Sequence, residues 1–244
     1  MMRISSLELE HIGPFAQEKF EFQSVKDPRH AEIHIFTGVN GSGKSTLLHA
    51  LASVVQPKGI EDRFLYDAGK SLVNIEFAYK TAIETVQIGK QPHDIKQPEW
   101  LRQYTSTFRS GKSRFRDFQY EFAITGYSGA RSLNSVSIGA IQEIEIPPLY
   151  DAIQFNTPTN PRQLLQWVAN TKAKQAFALQ ENNSNYAKYY EDAISRIEKT
   201  IESIIGYSVK FRFSYEPLSI GIVIAEKQID FDVLPDGLKS IISW

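Results

Sequence analysis

Ten consecutive residues constrain this chain more than any others: Thr37-Gly38-Val39-Asn40-Gly41-Ser42-Gly43-Lys44-Ser45-Thr46. They fit G-x-x-x-x-G-K-[ST], with Gly38, Gly43, Lys44 and Ser45 at the fixed places. Ile33, Ile35 and Phe36 read as a strand leading into the loop. Leu47, Leu48, Leu51, Val54 and Val55 follow at helical spacing, and Pro57 with Gly59 stops the helix. The order strand, Gly-rich loop, helix lets successive backbone N–H groups curl around an anion while the helix offers its positive end to the same charge. The residues assigned to this work are Asn40, Gly41, Ser42, Gly43, Lys44, Ser45 and Thr46. Lys44 is expected to reach the β- and γ-phosphates and the Ser45 hydroxyl to hold Mg²⁺. The competing reading is an ordinary Gly/Ser turn, which places no such demand on the flanking segments.

A chain of 244 residues is long enough for a full core, as one large domain or two lobes. Net charge is −1, so any nucleic-acid surface has to be local. There is no cysteine, which excludes disulfides and thiolate metal sites. Glu8 and Glu10 interrupt the opening apolar stretch, so a signal peptide is not expected. Apolar runs such as Leu218 to Ala225 are too short to cross a bilayer. The expectation is a cytoplasmic protein with no membrane partner.

Along the chain, Leu7 and Leu9 alternate with Glu8 and Glu10, Gly13-Pro14 turns, and Phe20 and Phe22 alternate with Lys19 and Glu21, which predicts an antiparallel pair. From about 60 to 150 the pattern is β-rich and irregular. A hairpin is expected over Leu72 to Tyr79 and Ala82 to Ile88, with further strands over Phe118 to Ile124 and Val136 to Ile146. Within this region Arg102, Arg109, Lys112, Arg114 and Arg116 are interleaved with Tyr104, Phe108 and Phe115, a pattern suited to a nucleic-acid backbone with stacked bases. A solvated basic loop is the plainer alternative. Pro161 opens a helical tract with Leu164, Leu165, Trp167, Val168 and Phe177 as apolar positions. After Asn182-Asn183-Ser184-Asn185, with Asn185 the expected cap, a second helix places Tyr190, Ile194, Ile197, Ile201, Ile204 and Ile205 inward and Arg196, Glu198, Lys199 and Glu202 outward. Gly206 ends it. Val209-Phe211-Phe213 and Ile220-Ile222-Ile224 alternate as a hairpin.

A second stretch, Leu234-Pro235-Asp236-Gly237-Leu238-Lys239, reads alone as a helix start. Together with the loop at Gly38 to Thr46 and the opening Leu7-Glu8-Leu9-Glu10-His11-Ile12-Gly13-Pro14-Phe15, it resembles the ABC-type ATPases of the SMC/RecF/OLD group. Within that group the likeness is to compact bacterial members, among them Septu-type ATPases of anti-phage defence and a set once labelled virulence-associated. The resemblance implies ATP and Mg²⁺ as cofactors and a head-to-tail homodimer or higher oligomer, in which Leu234, Asp236, Gly237 and Lys239 act on a partner's γ-phosphate. Pro235 departs from the group's usual serine and removes a hydroxyl and an N–H. The group's Mg²⁺-sensing glutamine maps to Gln154, with Gln142 as the competitor. Its Walker B carboxylates follow the signature, so the resemblance implies that they lie beyond Trp244 and that these residues belong to a longer ATPase.

The fold class expected is therefore α/β: an ABC-ATPase-like mixed sheet around a P-loop helix, with a β-rich insertion and a helical lobe. The divisions expected are 1–60 for the P-loop core, 61–150 for the insertion, 151–233 for the helical lobe and hairpin, and 234–244 for the signature. The function expected is ATP binding and hydrolysis coupled to DNA or to an effector nuclease in bacterial defence or DNA repair. The alternatives are a nucleotide-gated scaffold with little turnover, the nucleotide-binding subunit of a transporter, and another P-loop enzyme such as a nucleotide kinase.

Overall fold

The computed structural model describes residues 2–25, 31–65, 69–79, 82–109, 124–127, 140–142, 153–155, 162–215, 218–230 and 233–234. The chain divides into two compact units, Met1–Gly126 with Pro147–Ile153, and Tyr127–Ile146 with Gln154–Trp244.

The first unit is built on a four-stranded antiparallel sheet in the order β2-β1-β3-β4, formed by β1 (Met2–Ile12), β2 (Phe15–Glu21), β3 (Leu72–Tyr79) and β4 (Ala82–Gly89). Both expected pairs are present, and β3 joins them into one sheet by pairing with β1. Residues 72–89 are thus half of the first unit's sheet.

The register along β1 shifts by one residue between Ile4 and Ser6, leaving Ser5 as a bulge. The extra residue reverses the alternation, so Met2 and Ile4 before it and Leu7 and Leu9 after it meet the same core, which Ile12 also joins beyond His11, whose φ of 53° breaks the alternation a second time. Ser6 Oγ donates to Glu76 Oε2 at 2.6 Å and Ser5 Oγ to the Glu76 carbonyl at 3.0 Å, which ties the bulge to β3. Leu7, Leu9, Ile12, Val73 and Ile75 are fully buried. Each such side chain contributes about 1.5–3 kcal/mol on removal from water.

Helix α1 (Lys44–Ala52) lies on this sheet through Leu47 and Ala50. It ends earlier than the apolar spacing implies, but Val54 and Val55 are buried all the same in the turn that follows. Pro57 does not terminate the structure: it opens a 3₁₀ helix, Pro57–Arg63, where its missing N–H costs nothing. Residues 31–38 correct another expectation, because no strand forms there. Glu32 is bound to Arg3 and Phe36 packs edge-to-face on Phe22, while Ile33 and Ile35 are about 80% exposed. Among the described residues no strand pairs with the backbone of this segment. Helix α2 (Glu99–Arg109) is a further element with no counterpart among those expected. It is anchored by buried Leu101 and by Trp100, whose indole N–H donates to Glu84 at 2.6 Å.

In the second unit α3 (Arg162–Gln180) and α4 (Ser184–Ile205) pack on a three-stranded antiparallel sheet of β7 (Val209–Tyr215), β8 (Leu218–Ile224) and β9 (Lys227–Asp230). Two short strands, β5 (Gly126–Tyr127) and β6 (Ile153–Gln154), pair with each other and belong wholly to neither unit, Gly126 and Ile153 falling in the first and Tyr127 and Gln154 in the second. Leu165, Val168, Ile194, Ile201, Val209, Phe211, Ile220 and Ile222 form the second core. Phe177 and Ile204, expected inside, are exposed. Glu198, expected outside, is buried. Its Oε1 accepts the Phe211 N–H at 2.9 Å and its Oε2 the Lys210 ammonium at 2.7 Å, so the carboxylate is compensated and covers the outer edge of β7. The cap of α4 is Asn183, two residues before the expected Asn185, with Oδ1 accepting from the Tyr186 N–H. Gly206 closes the helix at φ 76°, as its position implied. Of the strands expected over 118–124 and 136–146, residues 118–123, 136–139 and 143–146 lie outside the described residues, and 124 and 140–142 are not in strands. No helix among the described residues is long and apolar enough to cross a membrane.

Candidate nucleotide-binding site

The loop from Gly38 to Gly43 folds back on itself. Ser42 N–H donates to the Val39 carbonyl at 3.2 Å, and a Cβ on Gly38 would stand 2.7 Å from Ser42 Oγ. Gly41 at φ 83° and Gly43 at φ 94° occupy left-handed backbone that costs an L side chain about 1–2 kcal/mol. Gly43 is the N-cap of α1, its carbonyl accepting the Leu47 N–H at 2.9 Å. It has no side chain to satisfy the helix's first N–H groups, and no acid stands in the first turn. An uncapped helix start of this kind offers its amides and dipole to an outside anion.

Lys44 fixes the lysine's place in that ring. Its ammonium donates to the Gly38 and Val39 carbonyls, each at 2.8 Å, so two of three donors are held inside the loop. Ser45, next along, is exposed and fits the role of a hydroxyl ligand to Mg²⁺ beside the phosphates. Asn40 and Gly41 lie at the exposed turn of the loop. Thr46 differs from its neighbours: it is buried, and its Oγ1 accepts from Arg63 Nη1 at 3.1 Å. What Thr46 can offer an anion is its backbone N–H.

Four residues that the sequence reading gave no site role stand against this loop. Pro14 and Phe15, from the β1–β2 turn, lie where a Cβ on Gly43 would be, and Gly13 faces the Thr46 side chain. Arg63 completes the set: its carbonyl accepts the Gly13 N–H at 2.8 Å while its guanidinium holds Thr46. The Gly13-Pro14 turn was legible, but nothing local says that it returns to the phosphate loop. His49, one turn further along α1, is buried with Nδ1 at 3.0 Å from the Gly59 carbonyl. Burial pushes its pKa down, and the nearby Arg63 charge adds to the effect.

Elsewhere the expected residues fare unevenly. Arg102 is exposed on α2 and paired with Glu99 at 2.8 Å, so its charge is partly offset. Arg109 ends α2. Its side chain, and all of Lys112, Arg114 and Arg116, lie outside the described residues, as do Asp236, Gly237 and Lys239. Leu234 is buried in the second core. The backbone of Gln154 lies in β6, where the chain passes between units, and its side chain is not described. Gln142 offers its carbonyl to Asn170 Nδ2.

Residues 2–88, which run from β1 to β4 and contain the whole loop, match the model of a family described as AAA domain. This part of the chain is similar to AAA-type P-loop ATPases. The AAA-like segment thus joins a phosphate-loop geometry to a family of ATP-binding, ATPase-type activity, commonly served by Mg²⁺. No curated protein matches the chain.

Proposed function

We propose that the chain is an ABC-type ATPase that binds ATP with Mg²⁺ and closes head-to-tail on a second copy, coupling closure to DNA or to an effector nuclease in bacterial defence or DNA repair. One observation carries the nucleotide assignment: Lys44 lies folded into a ring of left-handed glycines at an uncapped helix start. In that role Asn40, Gly41 and Gly43 to Thr46 supply N–H donors to the phosphates, the Ser42 N–H being given to the Val39 carbonyl, while Lys44 neutralises their charge and Ser45 is the residue suited to Mg²⁺. Bound ATP supplies the phosphoanhydride, and the reaction proposed is in-line attack of water on the γ-phosphate, in which the protein contributes position and charge stabilisation. The resemblance at Leu234 to Gly237 supports closure in trans by Asp236 and Gly237, with Gln154 as the residue that reports on Mg²⁺ and γ-phosphate.

The test is Lys44→Ala. Lost ATP binding with an unchanged melting curve is the expected result, and unchanged nucleotide affinity would refute the assignment. A nucleotide-gated scaffold is the second reading, favoured by Pro235 in the place of the group's serine. Steady-state phosphate release separates the two, since a scaffold binds ATP without sustained turnover.

A further inference from the structure

The β1–β2 turn meets the phosphate loop at two points that bracket Lys44 and Ser45. On one side, a Cβ at Gly43 would stand 2.6 Å from Phe15 Cε2, closer still to Phe15 Cζ, and 2.7 Å from Pro14 Cγ. On the other, a Cβ at Gly13 would stand 3.0 Å from Thr46 Oγ1. The turn itself is held from behind. Phe15 packs edge-to-face on Phe20 with centroids 5.7 Å apart, Ile12 bridges to Phe64, and the Gly13 N–H is bound by the Arg63 carbonyl.

We propose that Phe15, with Pro14 beside it, is a positioning residue for the phosphate loop. Its ring is a fixed stop against the Cα of Gly43, and that stop keeps Gly43 in the left-handed conformation that points the N–H groups of Lys44 and Ser45 toward one anion. Glycine is the residue with most backbone freedom, so a loop made of Gly41 and Gly43 does not hold such a conformation unaided. A wall on one face restricts it at little entropic cost, because the wall is already part of the sheet. Gly43 therefore has two reasons to lack a side chain: its positive φ, and the ring that fills the space a Cβ would take. This inference rests on the ATP-binding reading of the loop.

The experiment measures ATP, GTP and tripolyphosphate affinity, by competition with a fluorescent ATP analogue, on the full chain and on Phe15→Ala, Phe15→Tyr and Lys44→Ala. Phe15→Ala removes the wall. Phe15→Tyr keeps the ring but grows a hydroxyl from Cζ, the atom nearest Gly43. Both are expected to weaken all three ligands by the same factor, about tenfold or more, since each hydrogen bond lost to a charged group costs about an order of magnitude in affinity. Tripolyphosphate affinity equal to the unaltered chain's in either variant overturns the proposal, because a ring that stacks on a base, or merely fills the core, leaves the phosphate donors where they were. If Phe15→Ala does not fold, Phe15→Tyr decides alone. A different result marks failure of the underlying reading: no ATP binding by the unaltered chain and no change in Lys44→Ala, in which case the wall has no ligand to serve.

Discussion

Glu198 sits inside the second core because two donors on β7 meet its carboxylate, and its worth is best judged by removing it. Glu198→Ala leaves the Phe211 N–H without its acceptor, a loss of about 1–3 kcal/mol in urea denaturation. Glu198→Gln keeps an acceptor for that N–H and loses only the pairing with Lys210, so its loss is expected to be clearly smaller. The turn joining β8 to β9 holds a different kind of residue-scale effect. Ala225 at φ 47° and Glu226 at φ 68° form a two-residue loop with both central residues left-handed, a geometry that asparagine and glycine adopt far more readily. Glu226→Gly is expected to raise stability by about 1 kcal/mol, read as a higher melting temperature. That missing Asn-Gly signal is also why β9 was not foreseen.

At the scale of the element, α4 separates local from remote causes. Its cap is Asn183, so Asn183→Ala is expected to cost about 1 kcal/mol, with Asn185→Ala nearly neutral on the same chemical denaturation assay. The apolar spacing from Tyr190 to Ile205 was enough to place the helix and its buried side. It misjudged the two margins of the stripe, Glu198 and Ile204, since whether a marginal position is covered depends on which strand lies over it. The β1 strand shows the same limit. Its alternation from Leu7 onward was plain, but the Ser5 bulge, which also turns Met2 and Ile4 inward, arises from pairing with residues some seventy positions away.

At the scale of the whole molecule, acid is expected to weaken the first unit in two stages. His49 has a folded pKa below its ordinary 6.5, so the folded state binds fewer protons than the unfolded one just below that pH. Its contribution is intact above 6.5 and is lost as pH falls through the folded value. Glu32, held below its ordinary 4.5 chiefly by the hydrogen bond from Arg3 and further by that residue's charge, is lost only at lower pH, as pH falls from 4.5 through its folded value. Melting temperature measured from pH 7.5 to 5 is expected to drop in the native chain and to drop less in His49→Gln. A profile of equal slope in the two would remove His49 as the cause.

By itself the sequence determined the phosphate loop, its helix, both hairpins and the two long helices, because each is written in residues within a few positions of one another: glycine spacing, alternation, a three-and-four stripe. Tertiary structure alone decided what stands against the loop. Phe15, Pro14, Gly13 and Arg63 come to Gly43 and Thr46 through strand pairing and the 3₁₀ helix, and no local pattern encodes a contact closed by such distant segments. The same holds for residues 31–38, where strand-like alternation is present in the side chains but a strand exists only when a neighbour offers its backbone.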